Sequence, residues 1–292
     1  MSRRGLWLFA ALGVIWGIPY LLIKVATSGV TPATLVWGRT ALGGLLLLPV
    51  AIARGALRPA IARWRPVALY PVVERAIPWY LLATAEERLP SSLAALVVAS
   101  VPIVGAVLAR TTGARERLGR VRIAGLATGL AGVAVLVGLD VRTSELGSVA
   151  ALLVVAVGYA LGPWIFHHHL SDLPSLGVVV ASLLACALVY TPIAIWQAPH
   201  VVPAAKVVAS VAGLGVVCTA VAFLVFFGLI SEIGPARATV ITYVNPAIAV
   251  LLGVLVLGEH FTTGTGLGFV LILAGSVLAT RTPRSRPQVA TS

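Results

Sequence analysis

Residues 6–25 read LWLFAALGVIWGIPYLLIKV. The stretch carries a single charge, Lys24, near its far end. At 1.5 Å per residue, a helix of that length covers about 30 Å, the thickness of a bilayer's hydrocarbon core. Its apolar residues are continuous rather than alternating, which excludes a strand of a membrane barrel. Nine more runs of this kind follow, at 32–53, 67–85, 92–109, 123–139, 147–166, 176–196, 207–230, 236–257 and 264–279. No gap between them has room for a soluble domain. The tail, 281–292, is rich in Pro, Ser and Arg and reads as disordered.

Composition agrees with that reading. Of the 292 residues 10% are charged and 59% apolar, where a soluble domain carries about 25% charge. Mean hydropathy is +1.03. A soluble enzyme, a disordered chain and a secreted disulfide scaffold are excluded; an all-α polytopic membrane protein remains. Cys186 and Cys218 fall inside apolar runs and read as packing residues. The 21 Lys and Arg against 9 Asp and Glu sit in short gaps between runs, not on a folded basic surface, so no nucleic-acid partner is expected. Arg3 and Arg4 at the start read as orienting a retained first helix, since the run after them is too long for an export signal.

Counting Lys and Arg by side orients the chain. With the N-terminus inside, fifteen fall on the inner face, three (Arg88, Arg142, Lys206) on the outer, and three (Lys24, Arg39, Arg75) within helices. Acids lean the other way, with Glu86, Glu87, Asp140, Glu145 and Glu259 outside. The expectation is ten helices with both termini cytoplasmic.

The two halves also resemble each other. Glu116, Gly125 and Gly132 recur as Glu259, Gly268 and Gly275 at an offset of 143. Pro19 and Pro102 recur as Pro163 and Pro246 at 144, and Trp16 pairs with Tyr159 at 143. Five helices per half is an odd number, so the second half crosses in the opposite sense. That predicts two inverted repeats, 1–140 and 141–280, around a central cavity, with 281–292 as a cytoplasmic tail. The loop after the fourth run holds Arg110, Arg115, Arg117, Arg120 and Arg122, and its counterpart after the ninth holds no Lys or Arg, which sets the two halves in opposite orientations.

Several local features occur in a fixed order. The first run holds Trp16-Gly17-Ile18-Pro19-Tyr20 and then Lys24; the second begins at Pro32 and contains Arg39. The fourth carries Pro102, the ninth Asn245-Pro246, and each is followed by an acid, Glu116 or Glu259, and then a Gly-rich run. In these features, over nearly its whole length, the chain resembles the drug/metabolite transporter superfamily, in its ten-helix EamA-type branch. Within that branch it looks most like the YddG-type amino-acid exporters of bacterial inner membranes. The resemblance implies efflux of amino acids, aromatic ones included, through a cavity lined by the first, third, fourth, sixth, eighth and ninth helices. The first run lacks the embedded Glu of the small four-helix multidrug relatives, which argues against proton-for-drug exchange on one carboxylate there.

Aromatic side chains at mid-depth are the first candidates for the cavity wall. Trp16 falls about 15 Å into its helix. Tyr20, Tyr80, Tyr159, Trp164 and Tyr243 join it, since a polar tip at that depth needs a partner that lipid cannot supply. They could stack on a substrate ring or hold an ammonium by cation–π attraction, or simply pack helices together. Trp7, Trp64 and Trp196 belong to the interfacial belt.

Buried charges come next: Arg39 in the second run, and Glu74 and Arg75 in the third. Charges at that depth are costly and usually paired. Arg39 and Glu74 lie at similar depth and can pair if their helices touch; a gate, a ligand anchor and a structural ion pair all fit. Lys24 is close enough to the outer face to snorkel. Pro19, Pro102, Pro163 and Pro246 each free a carbonyl and read as kinks or hinges. Ser100, Thr242 and Asn245 can satisfy such groups or a substrate's polar ends. His167, His168 and His169 point around their helix and cannot converge on one metal, so no metal site and no cofactor is expected. Gly125, Gly129 and Gly132, with Gly264, Gly268 and Gly275, offer faces for close helix contact, within the molecule or at a dimer seam.

The function these features predict is a secondary carrier that exports a small polar metabolite, chiefly amino acids, by alternating access. Export of flat organic cations is the alternative. A membrane-embedded enzyme would need a nucleophile with its base or a metal set, and neither is present in the sequence. Substrate preference, proton coupling against simple facilitation, and monomer against homodimer stay open.

Overall fold

The computed structural model describes residues 2–111, 119–234 and 238–280. Glu116, Arg115, Arg117, Arg237 and the tail lie outside the described residues. Within them all regular structure is helical, as expected where lipid offers no partner for open backbone. Among the described residues seven helical stretches are long and apolar enough to cross a membrane: Arg3–Ala26, Pro32–Ala53, Ser91–Leu108, Arg120–Asp140, Thr143–His169, Ser175–Trp196 and Ala205–Ile233. Ile241–Leu257 and Thr263–Ala279 are shorter apolar helices. The third run is helical over 64–88, but it carries Glu74, Arg75 and a charged end.

We label the helices α1 (Arg3–Ala26), α2 (Pro32–Ala53), α3 (Leu57–Ala62), α4 (Trp64–Pro71), α5 (Ile77–Arg88), α6 (Ser91–Val98), α7 (Val101–Thr111), α8 (Arg120–Asp140), α9 (Leu146–His169), α10 (Ser175–Trp196), α11 (Ala205–Gly215), α12 (Ala222–Ile233), α13 (Asn245–Leu257) and α14 (Thr263–Thr280). Their ends follow ordinary capping chemistry. The Ser2 hydroxyl accepts from the Gly5 N–H, and Thr31 caps α2 ahead of Pro32. Ser2 also donates to Glu232 at 2.8 Å, and Arg4 lies 3.4 Å from the same carboxylate, tying the start of α1 to the end of α12.

Two kinds of interruption occur, each of them twice. A π turn, Val72–Ala76, joins α4 to α5, and another, Val216–Val221, joins α11 to α12. Pro78 explains the first: it has no N–H for the Glu74 carbonyl. In the second, the Thr219 hydroxyl bonds back to the Leu214 carbonyl at 2.8 Å. The other interruption corrects the expectation for Pro102 and Pro246. Neither kinks a continuous helix; each is the second residue of a new one, α7 or α13. α7 follows a turn at Ala99–Ser100, and α13 follows a 3-10 segment, Thr239–Tyr243. A proline in a first helical turn forfeits no bond, which is why the break sits just before it. Ser276 of α14 joins the two breaks: its hydroxyl donates to the Ala99 carbonyl at 3.1 Å, and its carbonyl accepts from the Tyr243 hydroxyl at 3.2 Å. Pro19 and Pro163 lie inside α1 and α9.

The glycine faces pack within the molecule. A Cβ on Gly125 would lie 2.5 Å from the Ala279 nitrogen, one on Gly132 2.8 Å from the Ile272 nitrogen, and one on Gly268 3.0 Å from Leu136. α8 and α14 are therefore antiparallel and in backbone contact. At one end of the seam Asp140 accepts from the Thr262 and Thr265 hydroxyls at 2.5 and 3.1 Å. Gly275→Leu should lower stability by about 2 kcal/mol or more, because a Cβ there would lie 2.5 Å from the Gly129 Cα. Thermal unfolding in detergent measures this, with Gly138→Ala as the control, since Gly138 has nothing within 4 Å. An unchanged midpoint for Gly275→Leu would contradict the seam.

Leu12, Ile23, Val36, Leu96, Leu152, Val180 and Leu183 are buried, whereas Leu45, Leu188, Leu255 and Trp196 are exposed. Apolar side chains therefore lie on both the inside and the outside, as a lipid solvent allows.

Candidate functional site

The polar centre is assembled by α1, α2, α5, α9 and the two π turns. α2 buries Arg39. Its Nε donates to the Thr219 hydroxyl at 3.1 Å, and its guanidinium lies 3.7 Å from the centre of the Trp79 ring. Thr219 reaches α2 because Gly43 has no side chain; a Cβ there would fall 2.5 Å from the Thr219 Cγ2. Tyr20 and Tyr159 face Arg39 from α1 and α9. The expected Arg39–Glu74 pair does not form, because Thr219 and Trp79 occupy the guanidinium. Among the described residues the ion pairs are Arg4–Glu232 and Arg63–Asp172, both at helix ends.

Glu74 and Arg75 stand side by side on the first π turn. Arg75 is 2% exposed, its guanidinium 4.9 Å from the Tyr70 ring and 5.4 Å from that of Phe223. Its Nε and Nη1 have no hydrogen-bond partner, and neither does Oε2 of Glu74. The Glu74 carboxylate rests on Gly162 of α9, where a Cβ would collide with it. Gly158 keeps the same approach open one turn earlier, 2.5 Å from the Val73 carbonyl by the same measure. The site thus offers a carboxylate oxygen and two guanidinium N–H groups, buried and unused, at neighbouring positions.

The other residues anticipated from sequence are placed as follows. Trp16 packs on Phe226 and Phe223, with centroids 5.0 and 6.5 Å apart, inside a cluster with α12. Tyr80 is 38% exposed and stacks on Tyr190 of α10 at 6.1 Å. Its neighbour Trp79 faces Arg39 instead. The extra residue of the π turn rotates everything after it by about 100°, which brings Trp79 inward. Trp164 lies away from this group, stacked on His168 at 4.5 Å and 37% exposed, beside the exposed His167 and His169. The Ser100 hydroxyl is taken by the Val97 carbonyl at 2.6 Å. Thr242 is half-buried; Asn245 keeps a buried Oδ1 with no partner.

Lys24 does not snorkel. Its ammonium donates to the Glu86 and Leu89 carbonyls at 2.5 and 2.9 Å, capping the end of α5. Glu86 lies inside the protein with 0% exposure, because α5 runs on past its apolar stretch to Arg88. Trp79, Thr219, Phe223, Tyr70 and Glu86 are members of these clusters that sequence reasoning missed. For Trp79 and Glu86 the signal is Pro78, which marks the shift of helical register.

This is a polytopic helical membrane fold with a buried, charged centre. Two stretches, residues 3–138 and 146–281, match the EamA-like transporter family, and together they span most of the chain. The chain belongs to that family. The uncharacterised inner membrane transporter YedA of Escherichia coli strain K12 is 27% identical over 274 residues, covering 92% of this chain and 88% of its own. The uncharacterised transporter YvbV of Bacillus subtilis strain 168 is 27% identical over 276 residues, covering 93% and 90%. A solved crystal structure aligns over 96% of this chain and 98% of its own, with a TM-score of 0.69 at 22% identity, a likeness of fold.

Proposed function

We propose that the protein exports amino acids, aromatic ones included, across a bacterial inner membrane by alternating access, as YddG-type exporters do. In this reading the chain crosses ten times, as two inverted five-helix modules at 1–140 and 141–280, with both termini and the tail 281–292 in the cytoplasm. The twofold recurrence of π turn and proline break, and the antiparallel α8–α14 seam, support the inverted pairing. The positive-inside count supports the orientation.

The observation that carries the substrate class is the neighbouring pair Glu74 and Arg75, with Oε2, Nε and Nη1 all unused. An amino-acid zwitterion has the complementary ends: its carboxylate answers the guanidinium, its ammonium the carboxylate. Tyr70, Phe223, Trp79 and Tyr159 supply aromatic walls nearby. Flat organic cations fit less well. The Trp79 face is covered by Arg39, and those of Tyr70 and Phe223 lie beside Arg75, so the protein's own cations hold the places a ligand cation needs.

Purified protein in liposomes loaded with labelled amino acids should release them faster than equally loaded, protein-free liposomes do. Release of a lipophilic cation with retention of every amino acid would replace this reading with the alternative.

A further inference from the structure

Glu86 lies outside the site just described. It is fully buried near the end of α5, and neither of its carboxylate oxygens has a hydrogen-bond partner. Lys24 of α1 is a cation that faces it, but the ammonium is directed at the Glu86 and Leu89 backbone carbonyls. Glu259, just after α13, faces it as well and is already satisfied, accepting from the Ser91 and Ser92 N–H groups at 2.6 and 3.0 Å. Ser91 contributes a buried hydroxyl, itself without a partner. It lies beside Glu259, since a Cβ on Gly253 would be 2.5 Å from the Glu259 Oε2 and 3.1 Å from the Ser91 Oγ. Tyr20 of α1 also faces Glu86, and through it come Arg39 of α2 and Tyr159 of α9.

These contacts clamp one end of the molecule. Lys24 joins α1 to the end of α5, and Glu259 joins the end of α13 to the start of α6. A carboxylate shut inside the clamp without a donor is the costly member, and a proton removes its charge. A metal ion is the poorer occupant, because the Lys24 ammonium already stands there. We propose that Glu86 is a proton-binding site whose occupancy is tied to closure of this end: protonated while the clamp is shut, ionised once opening admits water. This deepens the transport reading and rests on it, with the clamped end as the outer one. The closed state then binds one proton more than the open state, so acid favours closure and alkali favours opening, by up to about tenfold in the open-to-closed ratio per pH unit. Tyr20, on the same helix as Lys24, passes the change to the Arg39 centre.

The test needs no substrate, so it is independent of the liposome assay. Spin labels on Arg88→Cys and His260→Cys, both exposed at the clamped end, report its opening by pulsed distance measurement. The native Cys186 and Cys218 are buried and out of the label's reach. Raising the pH should move the distance distribution from short to long, and Glu86→Gln, neutral at every pH, should hold it short. Glu87→Gln, an exposed neighbour, should respond as the unaltered protein does. Infrared spectra should show a protonated-carboxyl band that Glu86→Gln removes. A distribution indifferent to pH, an equal response in Glu86→Gln, or a shift driven by sodium at constant pH would each overturn the proposal.

Discussion

Arg75→Gln is expected to slow amino-acid release from liposomes by about a hundredfold while the protein stays folded. Among the described residues, Arg75 is the buried guanidinium whose Nε and Nη1 are both unused; the Arg39 Nε is bonded to Thr219. A substrate carboxylate would therefore find its donors at Arg75. Losing one partner of a desolvated charged pair costs about 2–5 kcal/mol, and 2.7 kcal/mol is about a hundredfold. The single variant has a second effect, because it leaves the Glu74 carboxylate buried beside no cation. A lone buried charge is worse than a pair or than none. The double variant Glu74→Gln, Arg75→Gln removes that penalty and should unfold no earlier than the unaltered protein, yet still fail to transport. Release rates together with thermal unfolding in detergent separate the two effects. Transport at the full rate in Arg75→Gln would remove this residue from the substrate site.

What the sequence makes legible follows from what repeats along it. Ten apolar runs are visible because lipid tolerates long apolar stretches, and the described helices other than α3 lie along those runs. The glycine spacing in α8 and α14 is legible because close packing needs small residues one turn apart, and the two faces do meet. Pro102 and Pro246 mark the right places, although the outcome there is a break and a restart rather than a kink. Arg39, Glu74 and Arg75 stand out because charge is rare in such a chain. What is hidden depends on departures from the 3.6-residue period. The π turn at Val72–Ala76 shifts the helix after it by one residue and turns Trp79 rather than Tyr80 toward Arg39, which depth along the run does not reveal. Glu86 looks like part of a charged loop, Glu86-Glu87-Arg88; only the path of α5 puts the first inside and the next two outside. Pairings between distant helices, such as Arg39 with Thr219, leave no trace in local pattern at all.

The second large effect is expected at Gly162, which neither binds nor ionises. Its Cβ position coincides with the Glu74 carboxyl group, and even the Glu74 Cγ would be only 2.9 Å away. The side chain has little freedom to withdraw. Its backbone belongs to the π turn, Tyr70 and Arg75 face it, and α9 is held close by the contact between Gly158 and the Val73 carbonyl. Gly162→Ala should therefore cost about 2–3 kcal/mol in stability, the upper range for overpacking, and should push the carboxylate out of register with Arg75. Amino-acid release should fall with it, because the group proposed to hold the substrate ammonium has moved. The assignment of cause comes from a double-mutant cycle with Glu74→Ala. If the methyl group and the carboxylate compete for one space, removing the carboxylate makes the added methyl tolerable. The double variant is then more stable than the two single losses predict, by about 1 kcal/mol or more. Unfolding midpoints of the four proteins measure the coupling. Simple additivity would mean that Glu74 points away from α9, and the zwitterion site would lose its anionic half.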